Sequence, residues 1–285
     1  AWGIHRLGVP NDFGTYDEYA SFPLAHIRTV ADVETWAGWP EPDHWDVRTF
    51  RDKISAVNRS VPYHVRYEVG GIFERAWALY GLERFLVDLK RRPEIPCAIM
   101  DCLTDLCIAN VTRVLEAADG LLDMVYTYDD VGIQTGLMIS PHMWRTFILP
   151  HHQRLNAVIQ SYPVKIMYHS CGAVYPLIGA FVDDMGIDVL NPLQPRAAGM
   201  DMRCIKREFG ERLAFHGGVD IQHTLPYGSP REVQAEVREC CQILGIGGGY
   251  ICASAHYLQA DTPLQNILAL YTTPREVASV PTRRL

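Results

Sequence analysis

No Cys-x-x-Cys pair occurs among the eight cysteines, which stand at 97, 102, 107, 171, 204, 240, 241 and 252. Without paired spacing, the thiols read as free, and a reducing, cytoplasmic setting is expected. No uninterrupted apolar run approaches the roughly 20 residues of a membrane helix. The opening Ala1-Trp2-Gly3-Ile4-His5-Arg6 has no apolar signal-peptide core, so no membrane partner is expected. Basic runs are few, Lys90-Arg91-Arg92 and the C-terminal Arg283-Arg284 among them, and the formal net charge is -7. That balance excludes a duplex nucleic-acid partner, whose phosphates call for clustered cations. Neither GxGxxG nor GxxxxGK[ST] follows a strand-like run, and Gly247-Gly248-Gly249 precedes one, so it reads as a turn. A GxSxG nucleophile elbow is also absent, which leaves acyl transfer unsupported.

What is present is strand-helix alternation. Short runs rich in β-branched or aromatic residues, bounded by Gly, Pro or Asp, occur at 63–69, 124–128, 164–169, 187–191, 213–216 and 249–253. Helix starts are legible between them. Ser229-Pro230-Arg231-Glu232 and Thr262-Pro263-Leu264-Gln265 both fit a capping box with Pro at the first helical position. Ser140-Pro141 opens another helix, and Ile99, Leu103, Cys107, Val111 and Val114 recur at the spacing of a buried helix face. Alternation of this kind predicts an α/β fold with a parallel sheet. Without a nucleotide motif, a TIM-type barrel is the better reading than a doubly wound sheet. The 285 residues suit a single barrel domain, since such domains run to about 250 residues. Residues 1–60, with Trp36, Trp39 and Trp45 among prolines and acids, predict an irregular segment packed on the domain by its aromatics.

In a parallel barrel, function collects where strands end. The run Tyr168-His169-Ser170-Cys171-Gly172 places an imidazole and a thiol two residues apart at a strand end. Side chains alternate with period two, so both project to one side and make half of a zinc site. The plain alternative is a small buried Cys171 and a hydrogen-bonded core His169. A third ligand is expected from the last strand, where Cys252, Ser254 and His256 share a face. His256 lies nearer the helix start at Thr262. Cys252 lies four residues deeper, roughly 13 Å along a strand, and reads as a buried thiol. Asp129, Asp130 and Asp220 follow other strand ends as candidate catalytic or metal-completing acids, and Glu68 and Asn191 are candidate substrate-binding groups. His151-His152 falls inside a helix, where a structural role is expected.

In their order and spacing, several motifs together resemble the uroporphyrinogen decarboxylase-like superfamily, which includes zinc- and corrinoid-linked methyltransferases. They are Trp2-Gly3, Trp39-Pro40-Glu41-Pro42-Asp43, Gly70-Gly71-Ile72-Phe73-Glu74-Arg75-Ala76-Trp77, Tyr128-Asp129-Asp130-Val131-Gly132, His169-Ser170-Cys171-Gly172, Leu190-Asn191-Pro192-Leu193-Gln194, His216-Gly217-Gly218-Val219-Asp220, and Ala255-His256 leading to Asp261-Thr262-Pro263. The resemblance runs from Trp2 to about Val280 and implies a (β/α)8 barrel. Only about six strands are legible, which predicts that N-terminal barrel strands are lacking in this chain. The arginine-rich RxxGR-type motif of the decarboxylases is not found. The methyltransferase branch uses an HxC…C zinc set. His169 and Cys171 match its first two members, and His256, counted back from Thr262-Pro263, stands at the third, as in the decarboxylases.

The resemblance implies a methyltransferase that moves a methyl group to or from a corrinoid (cobalamin), with a zinc-type metal on His169, Cys171 and His256. A small-molecule methyl donor or acceptor follows from this. The candidate macromolecular partners are a corrinoid carrier protein and a second copy of the chain in a homodimer. Two other readings accompany it: a uroporphyrinogen decarboxylase acting on a tetrapyrrole, and a non-catalytic corrinoid- or tetrapyrrole-binding module.

Overall fold

The computed structural model describes residues 2–42 and 46–279; Ala1, Asp43, Trp45, Val280 and the Arg283-Arg284 pair lie outside the described residues. The chain forms two compact units. One is drawn from Ala1–Asp129, Ile139–Met167 and Asp184–Gly186, the other from Asp130–Met138, Tyr168–Asp183 and Ile187–Leu285.

The first unit opens with an antiparallel hairpin, β1 (His5–Asn11) and β2 (Gly14–Ser21), where the composition predicts irregular chain. Every residue of both strands is exposed, so no buried face imposes a readable alternation. The turn is local: Phe13 N–H donates to Asn11 Oδ1 at 2.9 Å. The hairpin is held at its base by Tyr19, which stacks on Phe22 and meets Trp77 edge-on. Trp2, Trp36 and Trp39 pack edge to face, and Trp39 Nε1–H donates to the Val33 carbonyl at 2.7 Å. Strands β3 (Arg66–Gly71) and β4 (Met124–Tyr128) then pair in parallel, with one irregularity between Glu68 and Gly70.

Helices α1 (Phe73–Tyr80) and α2 (Glu94–Ala118) connect β3 to β4. Contrary to the expectation that no stretch has membrane-helix length, α2 is long and apolar enough to cross a membrane by length and composition, although charged residues interrupt it. Its contacts are those of a core helix. Ile99, Leu103, Cys107, Val111 and Val114 are buried, as their spacing predicts. The opposite side carries Asp101 and Asp105, both paired with Arg154 of α3 (Leu149–Gln160). Upstream of α3, Ser140 caps a short helix from Pro141 as expected, but the chain then widens into a π-turn at Trp144–Ile148. Beyond α3, β5 (Lys165–His169) begins in the first unit, where Lys165 N–H donates to Asp123 O at 3.0 Å.

The second unit carries the end of β5, then β6 (Val189–Leu193), β7 (Ala214–Val219) and β8 (Tyr250–Ser254) in parallel. Strand order follows chain order in each unit, β3-β4-β5 and β5-β6-β7-β8. The six runs read as strands from sequence are therefore all strands, alternating with helices. Between β7 and β8, α4 (Pro230–Leu244) starts with the expected reciprocal capping box of Ser229 and Glu232. It packs Val233, Val237 and Cys240 against Val219, Leu225 and the last helix.

Candidate metal centre

His169 ends β5, and the three residues after it are pinned from both sides. Ser170, fully buried, donates its N–H to Asn191 O at 2.8 Å and accepts the Val131 N–H on Oγ at 3.2 Å. Cys171 N–H donates to Asp130 Oδ1 at 2.6 Å, and Gly172 N–H donates to Gln194 Oε1 at 2.8 Å. Gly172 takes φ +86°, and a Cβ there would stand 2.6 Å from the Gly132 carbonyl carbon, so only glycine lets the turn close. Cys171 Sγ is thereby set 3.4 Å from His169 Nε2.

His256 reaches the same point from beyond β8. Ala255 N–H donates to Val219 O at 2.8 Å, and Ser254 Oγ–H donates to the His256 carbonyl at 2.6 Å. The ligand atoms of His169, Cys171 and His256 all lie within 4.8 Å of one another, and the two imidazole centroids are 6.0 Å apart. Nitrogen and sulfur donors on a tetrahedral zinc are separated by roughly 3.5 Å, close to the observed Cys171–His169 spacing. Three such donors with a fourth position free are the pattern of a catalytic rather than a structural zinc site. Burial pushes the His256 pKa below the usual histidine value and the neighbouring His169 acts the same way, against a weaker pull from Asp130. The neutral imidazole so favoured is the ligating form. Asp130 Oδ1 lies 3.5 Å from His169 Nε2 and so flanks the trio.

Behind His169 stands a second layer. His169 Nδ1 lies 2.5 Å from Asn191 Oδ1, and Asn191 Nδ2 lies 2.5 Å from His216 Nδ1. An amide oxygen only accepts, so His169 Nδ1 donates to it, which makes Nε2, the nitrogen facing Cys171, the atom available to a metal. Asn191, expected from sequence as a substrate-binding group, thus has both ends of its amide engaged by histidines. Replacing Asn191 with Leu is expected to weaken zinc binding about 10- to 100-fold, while Asn191→Asp, which keeps the acceptor, retains more of it. Competition with a chromophoric chelator measures this, and equal affinities in parent and leucine variant would remove the assignment.

The remaining acids have other surroundings. Asp129, fully buried in the first unit, accepts the N–H groups of Ile72, Phe73 and Glu74 at 3.2, 2.9 and 2.7 Å and meets His152 Nε2 at 2.8 Å. It therefore caps α1 from a different element, and His151 and His152 both lie buried in α3. Burial pushes His151 down to about 4, so it is neutral beside Thr104 Oγ1. Glu68 lines a cavity of about 490 Å³ in the first unit with Trp2, Phe50, Tyr67, Arg75 and Tyr128. Asp220, buried in the second unit, accepts N–H groups from Gln222, His223 and Thr224 and binds Arg196. Burial alone would raise its pKa; these donors outweigh it and hold the carboxyl below its usual value. Cys252 belongs to a different cluster with Cys240, Cys241 and Tyr250, where burial pushes its thiol up to about 11. His216 and Gln194 stand in the motifs that carry the resemblance but were not named as site residues, and Arg196 was not named at all.

The uroporphyrinogen decarboxylase (URO-D) family profile matches residues 4–277. A methylated-thiol–coenzyme M methyltransferase of Methanosarcina mazei is 26% identical over 204 residues, covering 72% of this chain and 51% of that protein. A uroporphyrinogen decarboxylase of Coxiella burnetii is 24% identical over 189 residues, covering 64% of this chain and 47% of that protein. The chain spans about half the length of these curated relatives. Among solved structures, a methyltransferase from Methanosarcina mazei superposes with a TM-score of 0.73 at 20% identity, covering 98% of this chain and 77% of its own. With nearly its whole length matched by the profile, the chain belongs to the uroporphyrinogen decarboxylase family.

Proposed function

We propose that this chain carries the catalytic face of a methyltransferase, with a zinc-type metal held by His169, Cys171 and His256. The observation that supports this best is the convergence of these three donors within 4.8 Å of one another. When bound, such a metal supplies Lewis acidity that lowers the pKa of a thiol or polarises a methoxy oxygen. The protein residues hold and orient. Asn191 fixes the His169 tautomer, Asp130 ties the Cys171 turn, and Gln194 locks Gly172. The methyl group would pass to or from a corrinoid presented by a separate carrier protein. The name of the Methanosarcina relative supports methyl transfer over other chemistry of the family.

The test is incubation of zinc-loaded protein with methylcobalamin and candidate thiols, or with cob(I)alamin and candidate methoxy compounds, followed by the cobalamin absorbance. Methyl transfer that stops after chelation supports the reading. The Coxiella relative keeps tetrapyrrole decarboxylation as the second reading. Carbon dioxide release from uroporphyrinogen, indifferent to chelation, would replace the first reading with that one.

A further inference from the structure

Asn191 sits at an irregularity in the sheet. Leu190 of β6 faces Phe215 of β7, but Leu193 faces Gly217, so Asn191 and Pro192 together stand against His216. Two residues opposing one form a β-bulge, and bulges re-aim side chains beside functional sites. This one is braced from both neighbouring strands. At the end of β5, Ser170 donates its N–H to Asn191 O at 2.8 Å. On β7, Gly217 takes φ +103°, and a Cβ there would stand 3.0 Å from Pro192 Cβ, so glycine leaves the bulge its room. The Gly217 carbonyl in turn accepts the Tyr250 hydroxyl at 2.7 Å.

The bulge lays one amide between two imidazoles. Asn191 Oδ1 lies 2.5 Å from His169 Nδ1, and Asn191 Nδ2 lies 2.5 Å from His216 Nδ1. Asn191 is 7% exposed, which leaves little room for water to replace either partner. An amide has one accepting and one donating end, and a neutral imidazole has a single N–H. The ring at the oxygen must carry its hydrogen on the facing nitrogen, and the ring at the amide nitrogen must not. His169 and His216 are thereby held in opposite tautomers, Nδ1–H for His169 and Nε2–H for His216. If the amide turned over, both would exchange, and His169 Nε2 would carry a hydrogen and be closed to a metal. Asp130 Oδ1, at 3.5 Å from that nitrogen, is farther than a hydrogen bond of ordinary length and does not set the tautomer.

We propose that His216 is a positioning residue of the metal centre, acting through Asn191 to keep His169 Nε2 open to the ion. The role toward a metal rests on the function proposed above; the coupling of the two rings does not. No change of charge is involved, because both rings stay neutral. The coupling also runs in reverse: a metal on His169 Nε2 fixes the His216 hydrogen on Nε2, 25 residues away in sequence from the amide that transmits it.

Long-range proton–nitrogen correlation spectra of the metal-free chain, recorded above the titration range of histidine, read the tautomer of each ring without any substitution. Opposite tautomers are expected for His169 and His216; like tautomers, or a His169 hydrogen on Nε2, overturn the proposal. Zinc affinity, measured by competition with a chromophoric chelator, is the second readout. His216→Phe, its fold checked by circular dichroism, is expected to lower that affinity about tenfold, the low end for outer partners of a metal-bound histidine. In an Asn191→Leu background the same substitution is expected to change nothing. No loss in the parent, or an equal loss in both backgrounds, overturns the positioning role, since His216 would then act without Asn191 or not at all. Opposite tautomers in a chain that takes up no zinc keep the coupling and remove the metal reading.

Discussion

Replacing Cys171 with Ala is expected to lower zinc affinity on the order of 100-fold and to empty the site after dialysis. The estimate follows from structural zinc sites, where about 10–16 kcal/mol is spread over four ligands. Loss of one donor then removes roughly 3 kcal/mol, or about two decades in Kd. The thiolate is the only anionic member of the trio His169, Cys171 and His256, so its loss leaves two neutral imidazoles facing the ion. Cys252→Ala is the matched control, because that sulfur lies in the cluster with Cys240 and Cys241. Elemental mass spectrometry of dialysed protein gives the answer. Stoichiometric zinc in the Cys171→Ala protein would mean that the ion binds elsewhere, and would reduce His169 and Cys171 to pocket residues.

That this trio could be read from sequence at all has a simple cause. Residues two apart in a strand share a side, which pairs His169 with Cys171 in the sequence; in the structure β5 ends at His169, and the turn closed by Gly172 brings Cys171 beside it. His256 follows from its position between β8 and a Pro-marked helix start. Side chains at adjacent positions are harder. Asp129 and Asp130 read as two acids of one pocket, yet Asp129 receives the α1 amides and Asp130 receives the Cys171 amide. The alternation that finds the metal ligands also separates neighbours, and sequence alone does not say what each side meets. The Asn191–His216 and Arg196–Asp220 pairs join residues 25 and 24 positions apart. Such pairings come from register between strands, which single-strand periodicity does not carry. The β1–β2 hairpin was illegible for the opposite reason, since no buried face shapes its composition.

Asp129→Ala is expected to cost about 3–5 kcal/mol of folding stability. Helix α1 begins with Ile72 at its N-cap, a residue with no side-chain acceptor, so the first amides of the helix have no local partner. Asp129 accepts from three of them and faces His152, with both the carboxylate and the imidazole fully buried. Its charge also lies at the positive end of the helix dipole. Removing the carboxylate takes the acceptor from those three amides and from His152 Nε2 at once. Gly71 belongs to the same arrangement: a Cβ there would stand 2.8 Å from Asp129 Oδ1, so a larger residue would displace the acceptor. Asp129→Asn, which keeps one acceptor oxygen, is expected to lose less than Ala. Against a typical total stability of roughly 5–15 kcal/mol, the alanine variant stands near the unfolding threshold, and urea denaturation of both variants measures the loss. The outcome also separates a scaffold acid from a catalytic one. A catalytic Asp129 would give variants with parental denaturation midpoints and lost turnover, whereas a helix cap gives lowered midpoints in the order Asn, then Ala.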